Sequence, residues 1–103
     1  MNLTDHLSIP QRQCWSVAYA NAGHAHRKVG IKCIEKAQDE AKPSMMNHFR
    51  QQFRMAHEHF RYSIEYYEQA LALGSKSAEN KADILLAIAL TKLLNVCNCF
   101  LSC

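Results

Sequence analysis

The sequence predicts an all-α protein, either an antiparallel up-down-up three-helix bundle or a long helical hairpin plus a third helix, assembling as a helical dimer. Three observations carry that expectation. Apolar residues recur in steps of three and four over long stretches, the period of a helix face. Only three glycines and two prolines occur in 103 residues, too few turn signals for an all-β fold. Strong punctuation falls at two places, Ala41-Lys42-Pro43-Ser44 and Gly74, which divides the chain into three. With 49% hydrophobic residues and this length, one domain over residues 1–103 can bury a core.

The first helix is expected over about residues 9–41. Ser8 is a good N-cap, Gln11 stands at the capping-box position, and Pro10 is tolerated in the first turn. The predicted inward side carries Trp15, Ala18, Tyr19, Ala22, Ala25, His26, Val29 and Cys33. Small residues cluster at Ala18, Ala20, Ala22, Gly23 and Ala25, so a second helix can approach closely. Gly23 and Gly30 each cost about 1 kcal/mol of helix propensity relative to alanine, so this helix depends on packing and has room for a break or kink near Gly30.

Pro43 disfavours helix at the residue before it. The second helix follows over about 45–73, roughly 43 Å long at about 1.5 Å per residue. Met46, Phe49, Phe53, Ala56, Phe60, Ser63, Tyr67 and Ala70 form a sustained heptad seam. Gly74 is the expected stop.

The third helix is expected over about 77–101, capped by Ser77, with Glu79 in its first turn. Asn80, Thr91, Asn95, Asn98 and Ser102 make one narrow polar stripe, with Ala87 inside it. Most other positions are Ile, Leu, Ala, Val, Cys or Phe. Such a helix is apolar over far more than half its circumference, more than a closed monomer needs to bury. The expected self-association surface is Ile84, Leu86, Ile88, Leu90, Leu93, Leu94, Cys97 and Phe100. The run Ile84–Leu101 approaches membrane-spanning length, but Lys92, Thr91, Asn95 and Asn98 interrupt it, so a buried helix is expected and no membrane partner.

The opening MNLTDHLSIP has neither a basic start nor an apolar run, so no secretory leader is expected. Five cysteines, none in Cys-x-x-Cys spacing, fit a reducing, cytoplasmic setting. A formal charge of +3 permits an acidic partner without calling for a nucleic acid. The candidate binding surface for an acidic protein or peptide is a band of Arg27, Lys28 and Lys32 on the first helix with Arg50, Arg54 and Arg61 on the second, diluted by Glu35, Glu58 and Glu65.

Arg54-Met-Ala-His57-Glu-His59 allows two sharper readings. Residues two apart on a helix point about 200° apart, so His57 and His59 do not grip one ion together. His26 lies level with His59 in a hairpin centred near residue 43, which makes that pair the candidate metal ligands of an alternative reading. No cofactor is otherwise expected. The Arg54-x4-His59 spacing resembles the motif of HEPN-type ribonucleases, which are helical and dimeric. That resemblance implies RNA cleavage by Arg54 and His59 across a dimer cleft, although Met55 replaces the polar residue that usually follows the arginine. The leading expectation is a non-catalytic interaction or scaffolding module.

Two further stretches resemble helical families. Leu7, Ser8, Arg12, Ser16, Val17, Ala18, Tyr19 and Asn21 match the signature helix of the 14-3-3 phosphopeptide adaptors. Of the three basic positions that would hold phosphate, occupied here by Ala20, Arg27 and Ile31, only Arg27 is retained. Ser63–Leu73 resembles the second helix of a tetratricopeptide repeat, with Tyr67 and Ala70 at the packing positions. Both resemblances imply helices packed on helices.

Overall fold

The computed structural model describes residues 8–39, 46–74 and 78–102. These form three helices and no strand: α1 (Ile9–Asp39), α2 (Met46–Ala72) and α3 (Ala78–Ser102). The expected break around Pro43 and the Ser77 cap lie outside the described residues, as do the side chains of Met46, Phe49 and Phe100.

α1 opens with the capping box its sequence announces. The Ser8 N–H donates to Gln11 Oε1 at 2.8 Å, and the Gln11 N–H donates to Ser8 Oγ at 3.3 Å. Replacing Ser8 by alanine removes one of these partners. It should cost about 0.5–2 kcal/mol, read as a lower urea midpoint at unchanged slope. α2 stops where Gly74 adopts φ +85°, a left-handed conformation that glycine takes without strain, and its N–H closes on the Leu71 carbonyl at 3.1 Å.

α1 and α2 pair along their length, α3 packs on α2, and α1 barely meets α3. The seam of α2 is buried as its spacing predicts, at Phe53, Ala56, Phe60, Ser63, Tyr67 and Ala70. The face of α1 is not the predicted one. Ser16, Gly23, Gly30, Cys33 and Ala37 are buried, while Trp15 and Val29 are 50% and 41% exposed and Ala18 and Ala25 lie outside. Of the predicted inward residues only Cys33 is buried.

The reason is the two glycines. A Cβ on Gly23 would fall 2.7 Å from the Tyr67 ring, and one on Gly30 would fall 2.6 Å from the Phe60 ring. Each aromatic ring fills the notch its glycine leaves. Gly23 opposite Tyr67 and Gly30 opposite Phe60 also show that the two helices run in opposite directions. Side-chain hydroxyls close the same contact, since Ser63 Oγ–H donates to the Gly23 carbonyl at 2.7 Å and Ser16 Oγ–H to that of Ala70 at 2.8 Å. Packing thus outweighs the propensity cost of glycine, and α1 continues unbroken through Gly30.

Two buried clusters make the core. Tyr67 and Ala70 pack with Ile84, Ala87 and Ile88 at one end, and Cys33, Ala56 and Phe60 pack at the other with Ile31, Ile34 and Leu94 along their edge. Ile84 and Ile88 are therefore core residues and not part of an outer surface.

Candidate interaction surface on the third helix

α3 packs with the middle of its polar stripe inward, while Asn80 is exposed. Thr91 is 0% and Asn98 1% exposed, and Ala87, one turn before Thr91, is buried too. Hydrogen bonds offset part of the cost of that burial, although the buried Asn98 Oδ1 has no partner among the described residues. Asn98 Nδ2–H donates to the Phe53 carbonyl at 3.0 Å, and Thr91 Oγ1–H donates to the Ala87 carbonyl at 2.7 Å. His57 Nδ1 lies 2.9 Å from Asn95 Oδ1. An amide oxygen only accepts, so that His57 nitrogen carries the hydrogen.

Turning the polar stripe inward turns the leucines outward. Leu86 is 59% and Leu93 60% exposed, and Leu85, Leu90 and Val96 are also exposed. Leu86, Leu90, Leu93 and Cys97 follow one another in steps of four, three and four. That is a second heptad seam on the side away from α2. Of the eight residues expected at an interface, Leu86, Leu90, Leu93 and Cys97 lie on the surface and Leu94 is half-buried against the Phe60 cluster. Leu85 and Val96 also belong to the exposed face. Neither is among the residues that the sequence predicts at the surface.

Two of the basic residues, Arg27 and Arg54, line different grooves. Arg27 lines a groove between α1 and α3 with Ile31, Leu90, Leu93, Leu94 and Cys97. Arg54 lines a different groove, between α2 and α3, with Phe53, His57, Glu58, Asn98 and Cys99. α3 stands between the two. Arg61 is exposed, pairs with Glu58 at 2.9 Å and lies 5.5 Å from the Tyr62 ring centre. Lys28, Lys32 and Arg50 are exposed.

Arg54 and His59 also part company. They stand five positions apart, about 140° around α2. Arg54 opens on the α3 side, and its neighbouring histidine in that groove is His57. His59 instead faces α1, where its Nδ1 lies 3.0 Å from His26 Nδ1. Within one chain the two residues of the ribonuclease-like spacing therefore do not converge.

The His26–His59 contact needs one nitrogen bearing hydrogen and one bare. The rings meet with planes 26° apart and centres 5.3 Å apart, and on its other side His26 lies nearly parallel to Tyr66 at 5.3 Å. Tyr19 and Trp15 extend this file of rings. No cluster of three or more His, Cys, Asp or Glu residues able to hold a metal ion occurs among the described residues. Two nitrogens fall short of the four ligands of a structural zinc site.

Both histidines of α1 resist protonation. Burial lowers the His26 pKa from 6.5, and the His59 imidazole beside it lowers it further. Burial, then Arg27 and Lys28, lower that of His24, whose Nδ1 accepts from the Tyr67 hydroxyl. The unfolded chain binds protons at these sites more readily than the folded one. Their contribution is therefore complete above pH 6.5 and declines as pH falls through the folded-state values. The urea midpoint should drop between pH 7.5 and 5. The drop should be smaller in His26→Asn, measured at the same two pH values.

Comparison with known proteins gave no matching family model, no similar curated protein and no similar solved structure. The three short resemblances in the sequence thus rest on their own residues, and function has to be argued from the surface.

Proposed function

We propose that the chain is a non-catalytic helical interaction module that acts as a homodimer, an α1–α2 hairpin carrying a third helix whose free face is the contact. One observation supports this above the rest: α3 turns Thr91, Asn95 and Asn98 toward the core and leaves a heptad-spaced leucine seam in water. Burying a leucine stabilises by roughly 1.5–3 kcal/mol, so four or five such side chains left exposed represent a large driving force for association. A second α3 offers the same apolar surface, and a two-fold axis makes the contact self-complementary.

An acidic peptide, as a further partner, meets Arg27 in one groove or Arg54 in the other. The proposed setting is cytoplasmic, where the thiols stay reduced. Divergence of Arg54 and His59 weighs against the ribonuclease reading. RNA cleavage that is lost in His59→Ala and kept in His57→Ala would restore it.

The direct test is solution mass by sedimentation equilibrium. Twice the 11.8 kDa of one chain supports the proposal. A single-chain mass at every concentration up to the millimolar range overturns it.

A further inference from the structure

The groove between α2 and α3 borders a polar atom that the described chain leaves unmet. Asn98 is 1% exposed, and its amide is fixed in one orientation. Nδ2–H donates to the Phe53 carbonyl at 3.0 Å, and a carbonyl only accepts. Oδ1 is the atom left over, buried and without a partner among the described residues. Buried acceptors are nearly always supplied with a donor, so an orphan beside a cavity points to a donor brought from outside. Asn98 borders a cavity of about 460 Å³, in the size range of small-molecule sites, together with Phe53, Arg54, His57, Glu58 and Cys99.

The charges around this cavity select its occupant. Arg54, His57 and Glu58 stand three and four positions apart, on one face of α2. Arg54 offers a cation with a planar fork of N–H donors. Glu58 offers a carboxylate, of which Arg61 engages Oε2 at 2.9 Å. His57 directs its Nδ1–H at Asn95, so Nε2 of the neutral ring is bare and accepts. Three acceptor side chains, Asn98, His57 and Glu58, thus line the same groove as one cationic donor, Arg54. A simple carboxylate would pair with Arg54 and leave Asn98 orphaned beside Glu58. A simple amine would meet the acceptors and leave Arg54 facing its own sign of charge. From this arrangement we infer that the α2–α3 groove binds a small zwitterion of the amino-acid class, its ammonium on Asn98, His57 and Glu58, its carboxylate on Arg54, and its apolar side chain against Phe53 and Cys99. An ammonium brings three donors, one for each acceptor. No residue of this groove belongs to the Leu86–Leu90–Leu93–Cys97 seam, so the site stands or falls separately from the dimer.

Leucine is the probe, added to the isotopically labelled full chain. Binding is followed by the side-chain amide signal of Asn98 in nuclear magnetic resonance, assigned by its loss in Asn98→Asp. Leucinamide keeps the ammonium and lacks the carboxylate, and isocaproate keeps the carboxylate and lacks the ammonium. Leucine should move the Asn98 signal to saturation, and each analogue should bind at least about tenfold more weakly. Arg54→Gln should weaken leucine by a similar factor. Arg50→Gln removes the same charge from an exposed position outside the groove lining and should change binding less than about twofold. Both positions are exposed, and circular dichroism checks that each variant folds. An Asn98 signal that leucine leaves in place up to tens of millimolar overturns the site. Equal responses to leucine and isocaproate overturn the zwitterion and leave a groove for an acidic partner at Arg54. Equal responses to leucine and leucinamide, or undiminished binding in folded Arg54→Gln, overturn it as well.

Discussion

Gly30→Ala will destabilise the chain by about 1–3 kcal/mol, even though alanine is the better helix former by about 1 kcal/mol. The new methyl would stand 2.6 Å from Phe60 Cε1 and 2.9 Å from Cδ1. Phe60 is fully buried, so its ring has no empty space to turn into, and the two helices have to move apart. Phe60→Ala alone removes the ring and should cost about 3–5 kcal/mol, a large share of the stability of a chain this size. In the Phe60→Ala background the same glycine substitution changes sign. With no ring to strike, Gly30→Ala should stabilise by up to about 1 kcal/mol through propensity. Urea unfolding of the four proteins gives the coupling directly. Equal effects of Gly30→Ala in both backgrounds would mean that ring and glycine do not meet.

The second large effect concerns assembly. Leu86→Lys with Leu93→Lys places two charges on the free face of α3, and the proposed dimer should fall to single-chain mass with its helix content intact. Ile84→Lys with Ile88→Lys has the same composition change on the same helix. Those two residues lie in the core with Tyr67 and Ala70, so this pair should unfold the chain instead. The contrast matters because a sequence reading places all four residues on one association surface. If both pairs lower stability alike, the leucines are buried within the monomer and the assembly argument fails.

These two predictions mark where the sequence was legible and where it was not. The face of α2 is readable because its buried positions are large and apolar, with Phe53, Phe60 and Tyr67 standing out from charged neighbours. The capping box at Ser8 and the stop at Gly74 are readable because they are local chemistry. The face of α1 is hidden because its contact residues are small. Hydrophobicity points to Trp15 and Val29, whereas close approach selects Ser16, Gly23, Gly30 and Ala37. A usable signal was present: four small residues seven apart on α1, with Phe60 and Tyr67 seven apart on α2. In α3 the sequence shows too much apolar surface but not which side is inward. That depends on the partners α2 offers, the Phe53 carbonyl for Asn98 and His57 for Asn95. The basic residues look like a band in the sequence because they share a level along the hairpin. Only placement of α3 reveals that it separates Arg27 from Arg54.

The proposed contact depends on the orientation of α3, and thiol accessibility reads that orientation directly. Single cysteines at Thr91, Asn98, Leu86 and Leu93 in the full chain are treated with iodoacetamide under native conditions, and each site is followed by peptide mass spectrometry. Thr91→Cys and Asn98→Cys should stay protected at every concentration, like buried Cys33, while Leu86→Cys and Leu93→Cys should react quickly once the protein is dilute. Rapid labelling at 91 and 98 with protection at 86 and 93 would mean that α3 packs its leucines inward, and the proposed contact surface would not exist.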